Sequence, residues 1–372
     1  MKVLRAYKTE LDLNNKQKTA CIRHAGAARF AYNWALARKK EAYARGEKTP
    51  TAIDLHRELN ALKKTELSWM YEVSKCAPQE ALRDLDKAFA NFFRGVKEKR
   101  TGRSVKVGFP RFKSRKNGRG SFRLTGTIHV FEKAIQLPRL GLLSLKERGY
   151  LPTCGVHILS ASVSEKAGRW FVSLQVEVEV SDPVLEAKPV AGVDLGINRM
   201  AQVSDGIYFE NPRALRSAMT RLKRLQRVVS RRQKGSANTK KAVKQLAKAH
   251  FRVANIRKNA LHQATTFLTK SKSAIVLENL NVSGLMKNHH LAQAIADVGM
   301  YEFRRQLQYK GQWYGCKVLL ADRFFPSTRR CSQCGSQKDV TLGERVYCCE
   351  SCGQVMDRDL NAAINLEQLL YC

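Results

Sequence analysis

An α+β fold spread over several domains follows from three features of this 372-residue sequence. Residues 16 to about 100 and 211–258 carry apolar residues at helical spacing, residues 121–182 alternate apolar with polar as strands do, and two C-x-x-C steps lie close together near residue 340. Length agrees, since chains divide at roughly 100–200 residues per domain and 44% hydrophobic residues can bury several cores.

Residues 1–14 read as an edge strand and turn. The segments KQKTACIRHAGAARFAYNWALARKKEAYARG and PQEALRDLDKAFANFFRGVKEK then predict a helical lobe, with Leu82, Leu85, Phe89, Phe92 and Phe93 as its packed stripe. Between Arg94 and Arg119 there are eleven Lys or Arg against the single acid Glu98. Phe109, Phe112 and several glycines interleave with them, a mixture that suits phosphates and stacked bases as well as it suits a plain basic loop. Residues 121–182, as in GRWFVSLQVEVEV, predict antiparallel strands in a small barrel or sandwich, closed by the acidic break SDPVLEAKP. VAGVDLGINRMAQVSDGIYFE follows as a buried strand, a glycine turn and a second strand. Residues 211–258 hold sixteen Lys or Arg and no acid, and they predict two helices joined at KGSANT. Leu215, Leu222, Leu225 and Leu246 account for one face of that pair.

The formal charge is +35, from 67 Lys or Arg against 32 Asp or Glu. An ordinary solvated surface mixes both signs, whereas whole segments here lack acids, which predicts a long polyanionic partner, nucleic acid rather than membrane. No apolar run approaches the roughly 20 residues that span a bilayer, and MKVLRAYKTELDLNN turns polar too early for a secretory signal. The expectation is a soluble, cytoplasmic protein, nucleoid-associated in a prokaryote.

Of ten cysteines, five crowd between Cys331 and Cys352. Cys331-x2-Cys334 and Cys349-x2-Cys352 each close on a glycine, Gly335 or Gly353, and supply four thiolates suited to structural Zn²⁺. Cys348 could exchange with Cys349, and the C-x-x-C register favours Cys349. Three carboxylates stand where strands or a helix start would aim them at one point. Asp194 lies inside the apolar strand of VAGVDLGIN, before Gly196. Glu278 closes AIVLENL, and Asp359 opens the final helix in DRDLNAAINLEQLL, where Asp357 is the other candidate and could serve as helix cap. Buried acids need partners, and divalent cations commonly neutralise clusters of them. Strand acid, strand acid, helix acid is the order of a ribonuclease H-like sheet, in which Mg²⁺ held by acids serves phosphodiester hydrolysis.

GVDLGIN, LENLNV, FFPSTRRCSQCG, CCESCG and DRDLNAAINL in this order, with GFPRFKSR, SFRLTG, LPRLG and QEALRDLDKAFANFF before them, resemble the TnpB (OrfB) proteins of insertion sequences, relatives of type V CRISPR effectors. The resemblance covers nearly the whole chain. It implies an RNA-guided DNA endonuclease with Asp194, Glu278 and Asp359 on Mg²⁺, Asn361 beside the last of them, and Arg329 near the scissile phosphate. It implies a wedge-type β-barrel at 1–15 and 101–185, a helical recognition lobe at 16–100, a RuvC-like nuclease at 186–325 and 357–372, and a zinc ribbon at 326–356. Partners would be a guide RNA from the element's end and target double-stranded DNA. Lys75, Gln79 and Thr125 would contact a short flanking motif in that DNA, and Arg221, Arg224 and Arg227 of the basic hairpin would hold nucleic-acid backbone. Two other functions stand beside this one: an RNA-guided repressor that binds without cutting, and a strand-transfer transposase. Loss of a site carboxylate would mark the repressor, and all three are present.

Overall fold

The computed structural model describes residues 2–102, 105–115, 120–179, 188–341 and 343–371. Residues 181–187 of the expected acidic break, and residues 103–104 and 116–119 of the basic stretch, lie outside them. The chain forms two compact units, Met1–Val180 and Ser181–Cys372.

In the first unit β1 (Lys2–Asp12) leads into α1 (Asn15–Ala44), α2 (Ala52–Lys63), a 3-10 turn (Ser68–Glu72) and α3 (Cys76–Arg100). The helix starts are encoded locally: Asn14 with Gln17, and Thr51 with Asp54, form reciprocal capping boxes that satisfy the first free N–H groups. Strands β2 (Ser121–Leu124), β3 (His129–Val130), β4 (Ala134–Leu137), β5 (Gly141–Leu145), β6 (Val156–Lys166) and β7 (Arg169–Glu179) follow. They join β1 in one sheet of order β2-β6-β7-β1-β5-β4-β3. β1 pairs with β7 from Lys2 to Leu11 and with β5 only at Leu11 and Asp12, so it is an edge over most of its length and a bridge at its end. One core joins the sheet to the helices through Leu36, Leu55, Leu82, Leu85, Leu124 and Leu174.

The apolar stripe of α3 is core only in its first half. Leu82 and Leu85 are fully buried, whereas Phe93 is 62% exposed. Phe89, Phe92 and Phe93 instead form a half-open aromatic cluster with Phe109, whose ring meets Phe89 and Phe92 edge to face. The helix outruns the sheet it packs on, and residues 105–112 cover its far end, with Val107 against Gly95.

The second unit carries β8 (Ala191–Asp194), β9 (Arg199–Val203), β10 (Tyr208–Glu210), α4 (Ala214–Ser230), α5 (Ala237–Ser271), β11 (Ala274–Leu277), α6 (Val282–Leu285), α7 (Ala292–Val298), α8 (Met300–Tyr314), β12 (Lys317–Leu320), β13 (Val346–Cys348), β14 (Val355–Asp357) and α9 (Arg358–Gln368). The main sheet has the order β10-β9-β8-β11-β12, with β8, β11 and β12 parallel and β9 and β10 antiparallel. β10 is a strand the alternation did not signal, formed because Gly206, at φ +90°, turns the chain back on β9. The four residues of β11 are all buried, as an apolar run covered on both faces requires. α4 and α5 pair through Leu222 and Val253, with Leu215 and Leu246 alongside, and α5 runs past the expected hairpin to Ser271. Buried Asp297 accepts from the N–H groups of Leu215 and Arg216 and pairs with Arg257 at 3.0 Å, which fixes the start of α4. Among the described residues no helix is long and apolar enough to cross a membrane.

Candidate active site and thiolate cluster

β8 and β11 lie side by side in parallel with Val193 opposite Leu277, so the next residues, Asp194 and Glu278, leave the same end of the sheet together. The third acid arrives on α9, which packs on β8 with Ala363, Leu366 and Glu367 against Gly192. The approach is so close that a Cβ on Gly192 would lie 1.9 Å from the Ala363 carbonyl oxygen and 2.4 Å from the Glu367 nitrogen. Gly192→Ala is therefore expected to push the helix away and destabilise the unit by about 1–3 kcal/mol or more, as overpacked cores do, readable by urea unfolding. Gly196 has a local reason too: its Cβ would sit 2.9 Å from the Arg199 carbonyl oxygen and 4.0 Å from Asp359 Oδ2. Backbone crowding in the β8–β9 turn thus accounts for this glycine, and the Asp359 carboxylate lies beside that turn.

The electrostatics reflect the convergence. Burial, then Glu278, then Asp359 hold the Asp194 carboxyl well above the usual range, with Arg358 and the Leu195 N–H opposing. Glu278 is raised first by burial and then by Asp359, against a hydrogen bond from Ser327. That serine is 2% exposed and donates its hydroxyl to Glu278 Oε1. Arg358 donates to Asp359 Oδ1 through Nε and Nη2, at 3.2 and 3.0 Å. The three acids are neighbours, yet they are not all drawn within 4.8 Å of one another; among the described residues only the cysteine cluster is a group of three or more that close. Hard oxygen donors, two of them held protonated-prone by burial and by neighbouring carboxylates, form an environment that a divalent cation relieves and that suits Mg²⁺.

Asp357 has a different task. Its Oδ1 accepts from the N–H groups of Asp359 and Leu360 at 2.9 and 3.1 Å, capping α9, and its Oδ2 takes a hydrogen bond from Arg199 at 3.3 Å. Asn361 and Asn365, both buried, tie α9 to the chain entering the cysteine region: Asn361 bonds the Ser332 N–H and the Arg330 carbonyl, and Asn365 donates to the Ser327 and Arg330 carbonyls. Arg329 is not brought to the acids; it pairs with Asp339 at 3.2 Å and is 62% exposed. The arginine beside the acids is Arg358, which the DRD string carried and spacing alone could not single out.

The two C-x-x-C turns mirror each other. Gly335 N–H donates to the Cys331 carbonyl and Gly353 N–H to the Cys349 carbonyl, each at 3.0 Å, and both glycines hold positive φ, +77° and +72°. The Sγ atoms of Cys331, Cys334, Cys349 and Cys352 all lie within 4.8 Å of one another. Cys331 to Cys352 and Cys334 to Cys349 are 3.6 Å apart, near the edge of about 3.8 Å that a tetrahedron with 2.3 Å Zn–S bonds requires. The donor set fits a structural Zn²⁺. Cys348 is exposed and spent on the β13–β14 ladder, opposite Val355. The Cys349 thiol is pushed down to about 5, first by the Ser336 hydroxyl 3.2 Å away.

Lys75, Gln79 and Thr125 line one cleft of about 1190 Å³ in the first unit. Two contacts fix it: the Ser74 N–H donates to buried His24 Nε2 at 3.0 Å, and Cys76 Sγ donates to the Thr125 carbonyl at 3.3 Å. Arg221, Arg224 and Arg227 are exposed on α4.

Known proteins resemble this chain in sequence and in fold. The family described as "Probable transposase" (OrfB, IS605) matches residues 173–289, a Cas12f1-like TNB domain matches 301–366, and a helix-turn-helix domain of OrfB matches 1–48. That last stretch folds here as one strand and the single 30-residue helix α1. A protein of Streptomyces pristinaespiralis named RNA-guided DNA endonuclease is 36% identical over 98% of this chain and 89% of its own. InsQ of Escherichia coli K12, named likewise, is 34% identical over 98% and 92%. In shape, a Cas12f1–sgRNA–target DNA complex aligns at TM-score 0.57 with 13% identity, covering 98% of this chain and 99% of that one. The mini-RNA-guided endonuclease Cas-phi3 aligns at 0.51 with 9% identity, over 100% and 92%. With a relative above 30% identity along nearly its full length, and family domains matched in order, the chain belongs to the TnpB (OrfB) family.

Proposed function

We propose that this protein is an RNA-guided DNA endonuclease of an insertion sequence, hydrolysing target DNA at the end of the β8–β11 sheet. The observation that carries the reading is the meeting of Asp194, Glu278 and Asp359 there, on a sheet of order β10-β9-β8-β11-β12 with a helix laid across it. This order and the acids' placement support a ribonuclease H-like, RuvC-type nuclease. Asp194, Glu278 and Asp359 would hold Mg²⁺, which supplies an activated water and charge stabilisation for the leaving oxygen. Ser327 holds Glu278, Arg358 holds Asp359, and the Asp357 cap sets where α9 begins, so the chain positions Glu278 and Asp359 by separate contacts. Cys331, Cys334, Cys349 and Cys352 hold Zn²⁺ and fold the ribbon that α9 leaves.

The partners are a guide RNA from the element's end and double-stranded target DNA. Base pairing supplies sequence choice, while the cations hold phosphates without reading bases. Residues 1–15 and 101–185 form the wedge-type unit and 16–100 the recognition lobe, and the cleft shared by Lys75 and Gln79 of the lobe and Thr125 of the wedge-type unit meets the flanking motif; 186–325 and 357–372 form the nuclease, with the ribbon at 326–356. Arg329 serves phosphate from the ribbon side. Replacing Arg221, Arg224 and Arg227 by Ala together is expected to lower the log-log salt slope of nucleic-acid binding by about 2 to 3, at about 0.9 per lost duplex phosphate contact; an unchanged slope returns α4 to a solvated face.

The decisive experiment is to purify the protein with co-expressed RNA, sequence that RNA, and supply Mg²⁺ with a matching duplex whose flanks are randomised. Cut products beside one short motif are expected. A complex that binds the matched duplex and cuts none of the flanks points to the repressor, and joined rather than hydrolysed ends point to the transposase.

A further inference from the structure

The helical side of the first unit carries an aromatic cleft that the flanking-motif reading leaves unused. Phe30 of α1 and Trp69 of the 3-10 turn meet edge to face with ring centroids 5.5 Å apart. Packing does not consume them, since 36% and 40% of their surfaces remain exposed. They wall a cleft of about 790 Å³ whose floor is the α1 backbone at Gly26 and Ala27. A Cβ on Gly26 would meet nothing within 4 Å, so the floor is open. Arg23 lies at the rim, 2.7 Å from Glu72. The cleft offers a partly exposed aromatic surface with an Arg23–Glu72 ion pair at its edge, and the aromatic surface suits a stacked ring.

Position narrows the ligand. Val73 borders both this cleft and the one holding Lys75, Gln79 and Thr125. A second depression, with Arg23 and Glu72 in common with the first and Arg139 in common with the other, joins them along the other side. The flanking-motif cleft and the Phe30–Trp69 cleft are therefore neighbours on the first unit. In RNA-guided recognition the duplex opens first beside that motif, and the base opposite the guided strand loses its partner there.

We propose that the Phe30–Trp69 cleft takes one unpaired DNA base, the first base of the displaced strand beyond the flanking motif, stacked on Trp69 over the open floor at Gly26. The inference rests on the reading of Lys75, Gln79 and Thr125 as the flanking-motif contact. Stacking accepts any base, because each has a π face, so this slot would promote opening without adding sequence preference. It lowers the cost of the first separated pair, the step from which the RNA–DNA hybrid extends.

The test uses the full chain with its guide RNA, in an Asp194→Asn background that keeps the DNA intact, and a target bearing 2-aminopurine at the first displaced position. The expected result is fluorescence quenched by stacking in the parent complex. Trp69→Ala and Gly26→Leu are each expected to lose the quench and slow duplex opening by roughly ten- to hundredfold, with guide-RNA affinity unchanged. Gly26→Leu keeps both aromatics, fills open space and improves helix propensity, so its effect reports the occupied cleft and not a damaged core. Retention of quench and opening rate by Gly26→Leu overturns the proposal, and so does a loss of affinity for guide RNA alone in both variants. Lys75→Ala separates the two levels. If it abolishes flank discrimination while Trp69→Ala changes nothing, only this inference falls; if Lys75→Ala, Gln79→Ala and Thr125→Ala all keep discrimination, the reading beneath it falls as well.

Discussion

Replacing Asp194 by Asn is expected to cut target cleavage by about a thousandfold or more while guide and target binding stay within about twofold, because the change touches the oxygens that would hold the catalytic cation and none of the basic surface. Gel-resolved single-turnover cleavage beside a binding assay reads both quantities, and equal cleavage by parent and variant sinks the nuclease assignment. The same substitution is expected to act oppositely on stability. Burial and two neighbouring acids hold the Asp194 carboxyl above its ordinary range. A carboxyl whose pKa is higher in the folded chain binds its proton more tightly there, so its contribution favours folding below the ordinary value of about 4. That contribution is lost as pH rises through the raised value. Metal-free parent protein should therefore lose thermal stability as pH climbs above the ordinary carboxylate range. Asp194→Asn should flatten that decline and raise the midpoint near neutral pH, and added Mg²⁺ should stabilise the parent more than the variant. A variant whose melting profile follows the parent across this range would show that the three acids do not press on one another.

What the sequence disclosed of this site and what it hid divide along a physical line. Asp194 and Glu278 were legible because an ionisable group at the end of an apolar strand conflicts with its surroundings, and that conflict is written in consecutive residues. Asp359 and Asp357 could not be separated by spacing. The distinction lies in a cap: Asp357 spends Oδ1 on the first N–H groups of α9 and Oδ2 on Arg199, which leaves Asp359 to face the sheet. Ser327 and Gly192 were invisible because their roles exist only across chain separations, a hydroxyl on Glu278 from a loop 49 residues away and a glycine needed by a helix that arrives far later in the chain. The fold shows the same contrast. Capping boxes at Asn14 and Thr51, the all-buried β11 and the acid-free helix pair follow from local rules. The exposed end of the α3 stripe does not, because helical periodicity marks an apolar face without saying where its cover stops, and Phe93 lies past that point.

Cys331→Ser is expected to empty the thiolate cluster, taking bound zinc from about one per chain to near zero by elemental analysis. The effect should be large because little else holds residues 326–356 together. Their own core is Cys331, Tyr347 and Cys349 with Val340 packed on it, so two of its members are metal ligands by this reading. Two short strands, β13 and β14, add a ladder of only three residue pairs, and a two-stranded ladder is marginal by itself. Loss of the ion also reaches the carboxylates. The chain that enters the cluster is anchored to α9 by Asn361 and Asn365, and Ser327 at the start of that chain holds Glu278. Limited proteolysis should therefore cut within 326–356 in the variant and spare the parent, and cleavage of target DNA should fall with it. Cys348→Ser is the control: its side chain is exposed and outside the four, so zinc content, protease resistance and cleavage should match the parent. If instead Cys348→Ser loses the ion and Cys349→Ser keeps it, the register of the second turn is wrong by one residue. If Cys331→Ser keeps both ion and protease resistance, the cluster is not what folds the ribbon, and the link from Cys331 through Asn361 to Glu278 carries no strain from one site to the other.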